Sequence, residues 1–218
     1  MLRVRVSRLR GAAMVEFYVV TLFAMLPLCT GLLQAALLST QNHHVDHAAF
    51  MAARAGATAG GDTTVMREEF ARVMTPLFVT SSEPLDASNA GKRVVGAYAN
   101  ALQDFVVHGS MRLLTPDLTA QRDFAQPLES GRVIPNDSLE YRSQSPGRES
   151  GASLQAANIL RVEFTYCRPL IVPFARQVLL GVLRVVDGNP VHVRCYLAGR
   201  IPLVSVGTAP MQSAFRVR

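Results

Sequence analysis

The sequence predicts an α+β chain: a long N-terminal transmembrane helix, then a small exported domain with two helices and a short antiparallel sheet. Three observations predict it. From Gly11 to Leu38 the chain is an almost unbroken apolar run with one charged residue, Glu16. A bilayer core about 30 Å thick needs about 20 such residues as a helix, so the run is long enough to span. Apolar residues recur at helical spacing in two later segments, near 63–75 and over 94–114. Strict alternation of apolar and polar residues marks half-buried strands at Leu160–Tyr166 and Val191–Leu197.

The N-terminal ten residues, MLRVRVSRLR, carry four arginines and no acid. This asymmetry places the N-terminus in the cytoplasm and the chain after Leu38 outside. Glu16 needs a reason, because a carboxylate costs about 2.5–3.5 kcal/mol at the centre of a spanning helix. If the chain is cut after Gly11, Ala12 gains a free amine and Glu16 becomes the fifth residue, about one helical turn away. In an assembly of such helices the carboxylate of one chain can neutralise the amine of the next.

Gly-Ala-Ala-Met-Val-Glu-Phe after a short arginine-rich leader resembles the class III leader of type IV pilins and pseudopilins. More narrowly, RGAAMVEFYVV and the Leu-rich run with Pro27 resemble the TadE-like pilus assembly proteins of the tight-adherence system. LRVEFTYCRPLIVP and APMQSAF add a weaker echo of TadE-like tails. The resemblance implies a pilin-like helix and cleavage after Gly11 by a membrane prepilin peptidase. It also implies a mature N-terminus at Ala12 and a role for Glu16 in processing or assembly. Implied partners are the prepilin peptidase, other pilins and minor pilins, and an inner-membrane assembly platform. The implied location is the bacterial inner membrane, single-pass, with a periplasmic C-terminal domain that can enter an extracellular pilus. The middle of the chain carries no matching motif.

Other readings of the stretch stay open at this level. A secretory signal has an apolar region of about 7–15 residues followed by a small-residue site. This run is longer, although Leu33-Gln34-Ala35-Ala36 imitates such a site. An uncut anchor carrying a binding module, its glutamate among headgroups, is the main alternative. The net charge of +6 does not argue for a nucleic-acid partner, since the leader arginines supply four of those charges.

The domain plan follows in order: leader 1–11, helix 12–57, helical part 58–115, flexible polar loop 116–156 and strand-rich part 157–218. Pro27 should kink the first helix, because proline removes a backbone hydrogen bond and crowds the preceding turn. Past the membrane, Leu38, Val45, Ala49 and Ala52 keep a broken apolar stripe, and Gly60-Gly61 ends the helix. His43 and His47 are four apart and share a face, which is ligand spacing for zinc. No third ligand is placed beside them, so they are weak candidates and no metal or other cofactor is expected.

Asp62-Thr63-Thr64 followed by Glu68-Glu69 reads as a helix start, with Val65, Met66, Phe70, Val73 and Met74 as its apolar face. SSEPLDASNAGK reads as a loop. A helix over 94–114 follows, with Val94, Val95, Tyr98, Leu102, Phe105 and Val106 inward. Gly91-Lys92 is no phosphate loop, because Asp86 stands where its first glycine belongs and Arg93 where its hydroxyl residue belongs. From Thr115 to Gln155 the chain is polar, with a short strand near Arg132 to Pro135. PLIVPFARQVLLGVLRVV has a polar stripe of Gln177, Gly181 and Arg184, so it reads as a surface helix packed on the sheet, or less readily on a bilayer. Ile201 to Val206 offers a third strand.

Cys29 lies in the span, while Cys167 and Cys195 lie at the two alternating segments and form a candidate periplasmic disulfide. Closing that loop contributes about 3 kcal/mol in the chain-entropy model. Alternation puts Cys167 on the polar side of its strand and Cys195 on the apolar side, which requires a bulge or strand end. No catalytic constellation is present: the sequence lacks HExxH, CxxC and a glycine-rich nucleotide loop. The expected role is structural and not enzymatic, a His-dependent periplasmic metalloenzyme being the remote alternative.

Overall fold

The computed structural model describes residues 12–79, 87–128, 131–171 and 173–217. The leader, Gly11 and most of the loop before Ala87 lie outside the described residues. The chain divides into two compact units, 1–40 with 169–201 and 41–168 with 202–218.

The N-terminal helix is α1 (Ala12–Val20), a π-helical segment (Thr21–Met25) and α2 (Leu26–Thr58) in one continuous run. Pro27 accounts for the π segment. Proline has no N–H, so the Phe23 carbonyl loses its usual donor four residues on, and the ladder must change register nearby. Leu26 N–H accordingly donates to Thr21 O, five residues back. Thr30 Oγ1 donates to the carbonyls of Leu26 and Pro27 at 2.9 and 3.1 Å. From Met14 to Leu33 no residue is buried. Burial begins at Gln34 and continues as a stripe of Gln41, Val45, Ala48, Ala49, Ala52 and Ala53. Of the expected residues, Val45, Ala49 and Ala52 are on it, while Leu38 is half-buried. Among the described residues Met14–Thr58 is the one helix long and apolar enough to cross a membrane. By length and composition it fits a membrane anchor or a signal sequence.

The helix ends as expected at its glycines, by a route that reaches far along the chain. Gly60 and Gly61 have φ of +69° and +78°, the left-handed conformation that glycine adopts without a Cβ clash. Gly61 N–H donates to Gly56 O at 2.8 Å, the outer bond of a Schellman ending. The inner bond is replaced by a side chain: Gly60 N–H donates to Ser213 Oγ, which donates to Ala57 O.

In the same unit α3 (Thr63–Met74) starts where predicted, with Asp62 as N-cap accepting from Thr64 N–H at 2.7 Å. A 3-10 turn (Thr75–Phe78) follows, and then α4 (Ala87–His108). Here the structure corrects the sequence reading twice. Residues 87–92, read as loop, are helical. The helix read to 114 ends at His108, and β1 (Gly109–Thr115) follows without a loop. Gly109 permits this turn, since a Cβ there would meet the Phe105 ring at 2.5 Å. The face of α4 also differs. Ala97, Ala101 and Phe105 are buried, while Val94, Val95 and Val106 are exposed. Small residues let α3 and α4 approach, and the larger valines stay outside.

The stretch read as a flexible loop holds α5 (Leu118–Phe124), β2 (Gln126–Leu128), β3 (Gly131–Ile134), a 3-10 turn (Leu139–Tyr141) and α6 (Leu154–Ala157). The short strand near Arg132 is therefore present, with partners on both sides. One carboxylate ties together distant parts of the polar stretch. Asp123 accepts from Ser150 N–H and Ser150 Oγ at 2.8 Å each, and from Glu149 N–H. These bonds, the Ser150 N–H first, hold its carboxyl below the usual range.

β4 (Ile159–Pro169) is the expected strand, and β5 (Arg200–Pro210) and β6 (Phe215–Arg216) complete two sheets, ordered β1-β4-β5 and β2-β3-β6. β1 runs antiparallel to β4, with Met111 opposite Phe164 and Arg112 opposite Glu163, and a register shift between Leu113 and Thr115. Phe164, Thr165, Tyr166 and Cys167 are all buried, so alternation stops inside this central strand. That disposes of the polar side predicted for Cys167. Around Phe70, the rings of Phe164 (4.9 Å, stacked), Phe105 (4.6 Å) and Tyr166 (5.8 Å, edge-on) form the aromatic centre of this unit.

In the other unit, PLIVPFARQVLLGVLRVV contains the expected helix, α7 (Pro173–Val186). The second alternating segment is not a strand; it is α8 (Pro190–Leu197). Asn189 caps it by accepting from Val191 N–H at 3.0 Å, and Pro190 takes the first helical position, where its missing N–H costs nothing. Asn189-Pro190 is thus a helix start and not the approach to a strand.

Candidate functional site

The residues singled out in the sequence fall along the N-terminal helix. Ala12 is the first residue of α1, and Gly11 lies outside the described residues. Glu16 lies four residues on, hence on the same helical face, and is exposed. Its neighbours Phe17 and Tyr18 are exposed and pack edge to face, ring centroids 6.0 Å apart. Cys29 is a free, exposed thiol. A carboxylate among exposed apolar side chains suits charge pairing with a cationic group from another molecule.

His43 and His47 are exposed on α2, and so is His44. Asp46 beside them accepts from Asn42 Nδ2 at 3.2 Å. Among the described residues no group of three or more His, Cys, Asp or Glu side chains is placed to hold a metal ion. Cys167 and Cys195 are both disulfide-bonded. Cys195 lies on α8, so the strand position expected for it is corrected to a helix.

No protein-family model matches the chain, and no curated protein or solved structure matches it. The site residues must therefore be weighed on their own chemistry.

Two polar clusters escaped the sequence reading. In the first, Tyr166 donates a short hydrogen bond to Asp104 Oδ2, and Arg168 Nη1 reaches Tyr166 Oη at 3.5 Å. The Arg168 guanidinium stands 5.6 Å from the Tyr166 ring centre and 5.8 Å from that of Phe78, within cation–π range. Asp104 and His108, 4.0 Å apart, border an open cleft of about 570 Å³ with Phe78 and Gln103. Burial first, then the Asp104 bond, pushes the Tyr166 hydroxyl well up. Tyr166 thus stays a donor at neutral pH, and the cluster latches α4 to β4 without an activated nucleophile. In the second, Asp187 Oδ2 accepts from Tyr196 Oη at 2.6 Å and lies 2.7 Å from His192 Nδ1. The Tyr196 bond chiefly, then Asn189 N–H and His192, lowers Asp187 to about 2. Burial and the same carboxylate push Tyr196 up to about 12. Asp104 sits between Gln103 and Phe105 with no motif around it. Asp187 carried a signal, the Asn-Pro helix start two residues on, which the alternation that follows obscured.

Proposed function

We propose that this chain is a prepilin-like minor subunit in the biogenesis of a tight-adherence pilus, cut after Gly11 and assembled through its N-terminal helix. One observation carries the reading: from Met14 to Leu33 the helix is apolar with no residue buried, and its one charge, Glu16, is exposed one turn beyond Ala12. A helix apolar all round belongs in an apolar surrounding, a bilayer or the packed core of a helical assembly. A lone carboxylate there gains most from the amine of a neighbouring subunit, which a cut at Gly11 creates. The arginine-rich leader supports an N-terminus in the cytoplasm and an exported C-terminal part in the periplasm. The partners proposed are the prepilin peptidase, other pilins and the inner-membrane assembly platform.

The deciding experiment is the N-terminal sequence and intact mass of the protein from membranes, with and without the peptidase. We expect a chain beginning at Ala12 only where the peptidase is present. A chain beginning at Met1 in both strains rejects the reading and leaves an uncut anchored binding module. Glu16→Gln, with processing retained, should abolish incorporation into the assembly.

A further inference from the structure

The amphipathic helix α7 is turned with its apolar side out. Arg176, Gln177, Gly181 and Arg184 line an open cleft of about 630 Å³ whose other wall is Leu197 to Gly199. Arg184 Nη2 donates to Tyr196 O at 2.7 Å, and a Cβ on Gly199 would come within 2.3 Å of Arg176 Nη2. Both arginines of α7 are thus engaged toward α8 and its end. At 100° per residue, Val182, Val185 and Val186 lie on the opposite side, and they are 56, 86 and 76 % exposed. A soluble helix buries such a face; this one presents it.

The charges say what covers them. Between 169 and 201 the chain holds four arginines, Arg176, Arg184, Arg194 and Arg200, and one carboxylate, Asp187. Asp187 is already engaged by Tyr196 and His192. An aliphatic stripe with arginines on the other side, and no acid on the helix, is the pattern of a helix lying in a membrane interface. We propose that the outward face of α7 lies on an anionic phospholipid surface. Val182, Val185 and Val186 enter the boundary between headgroups and acyl chains, and the net positive charge of residues 169–201 favours an anionic surface. The three valines offer no donor or acceptor to set the register of a protein partner, and lipid requires none. The inference rests on the anchor part of the reading above and is independent of cleavage at Gly11.

The test uses the full chain with Cys29→Ser, reconstituted in phosphatidylglycerol or phosphatidylcholine vesicles, with an environment-sensitive fluorophore on Val185→Cys. Matching probes go on Leu28→Cys in the span and on Tyr141→Cys, 84 % exposed in the other unit. We expect nitroxide-labelled lipid to quench the probes at 185 and 28 but not at 141. Quenching at 185 should be stronger in phosphatidylglycerol, and the difference should shrink with salt or with Arg176→Gln and Arg184→Gln together. Quenching at 28 but not at 185 overturns this inference alone; quenching at neither overturns the anchor as well. Equal quenching in both lipids overturns the anionic preference. A signal at 185 that follows protein density and ignores nitroxide lipid assigns the face to a second copy of the chain.

Discussion

Gly207 has no room for a side chain. A Cβ there would sit 2.0 Å from the carbonyl oxygen of Ala49 and 2.9 Å from Ala53 Cβ, so β5 crosses α2 backbone to backbone. Gly207→Ala must push strand and helix apart, and overpacking of this kind costs about 1–3 kcal/mol. A lowered thermal midpoint of the full chain in detergent is the expected result; an unchanged midpoint would mean that the contact yields freely. At Asp187 the prediction concerns pH. Its folded value of about 2 is below its ordinary 3.8, so the stabilisation is present above that ordinary value and is lost as pH falls through about 2. Amide exchange in α8 should quicken between those limits in the wild type, and Asp187→Asn should flatten the dependence. Asp187 carried only the Asn-Pro signal beside it, and Gly207 carried none. Gly207 matters because of a backbone 158 positions away, and no local pattern records that.

At the scale of elements, what was legible was what local chemistry fixes. The start of α3 was readable because Asp62 caps it through its own neighbours. The end of α2 was readable because Gly60 and Gly61 take a conformation that other residues avoid. α8 was misread because Val191, Val193 and Cys195 alternate as a strand does, while the two residues before them select a helix. β1 was missed because MRLL continues the apolar spacing of α4, and only pairing with β4 makes it a strand. Two element-scale predictions follow from packing and register. Phe70→Ala removes the ring that α3 places between Phe105 and Phe164 and should cost about 3–5 kcal/mol, read by denaturant unfolding. Pro27→Ala restores an N–H opposite Phe23 O and should let the π segment relax to α-helix. One residue fewer per turn rotates α1 by about 100° relative to α2. Spin labels at Tyr18 and Leu32 would report it as a changed distance, and an unchanged distance would mean that Pro27 is not what holds the π segment.

For the whole molecule, the α+β class and the long apolar helix were legible, because membrane-length apolar runs and alternating strands are strong patterns. The two three-stranded sheets, and the order within residues 116–156, were not. The sheets depend on pairing between strands far apart in the chain, and the loop on Asp123 gathering Ser150 and Glu149 from 27 and 26 residues away. The disulfide state is a prediction that can be read on the intact chain: alkylation without reductant should modify Cys29 alone, and reductant should expose Cys167 and Cys195.

The cap on α2 sets an order of events. Gly60 N–H and Ala57 O are joined through a hydroxyl that arrives 153 residues after Gly60, and Arg216 N–H closes on Gly60 O at 2.9 Å. A chain made from its N-terminus must therefore hold this helix end open until residue 213 has emerged. During that interval the last turn of α2 lacks the partners that close it, and the chain's final strand is what completes its longest helix.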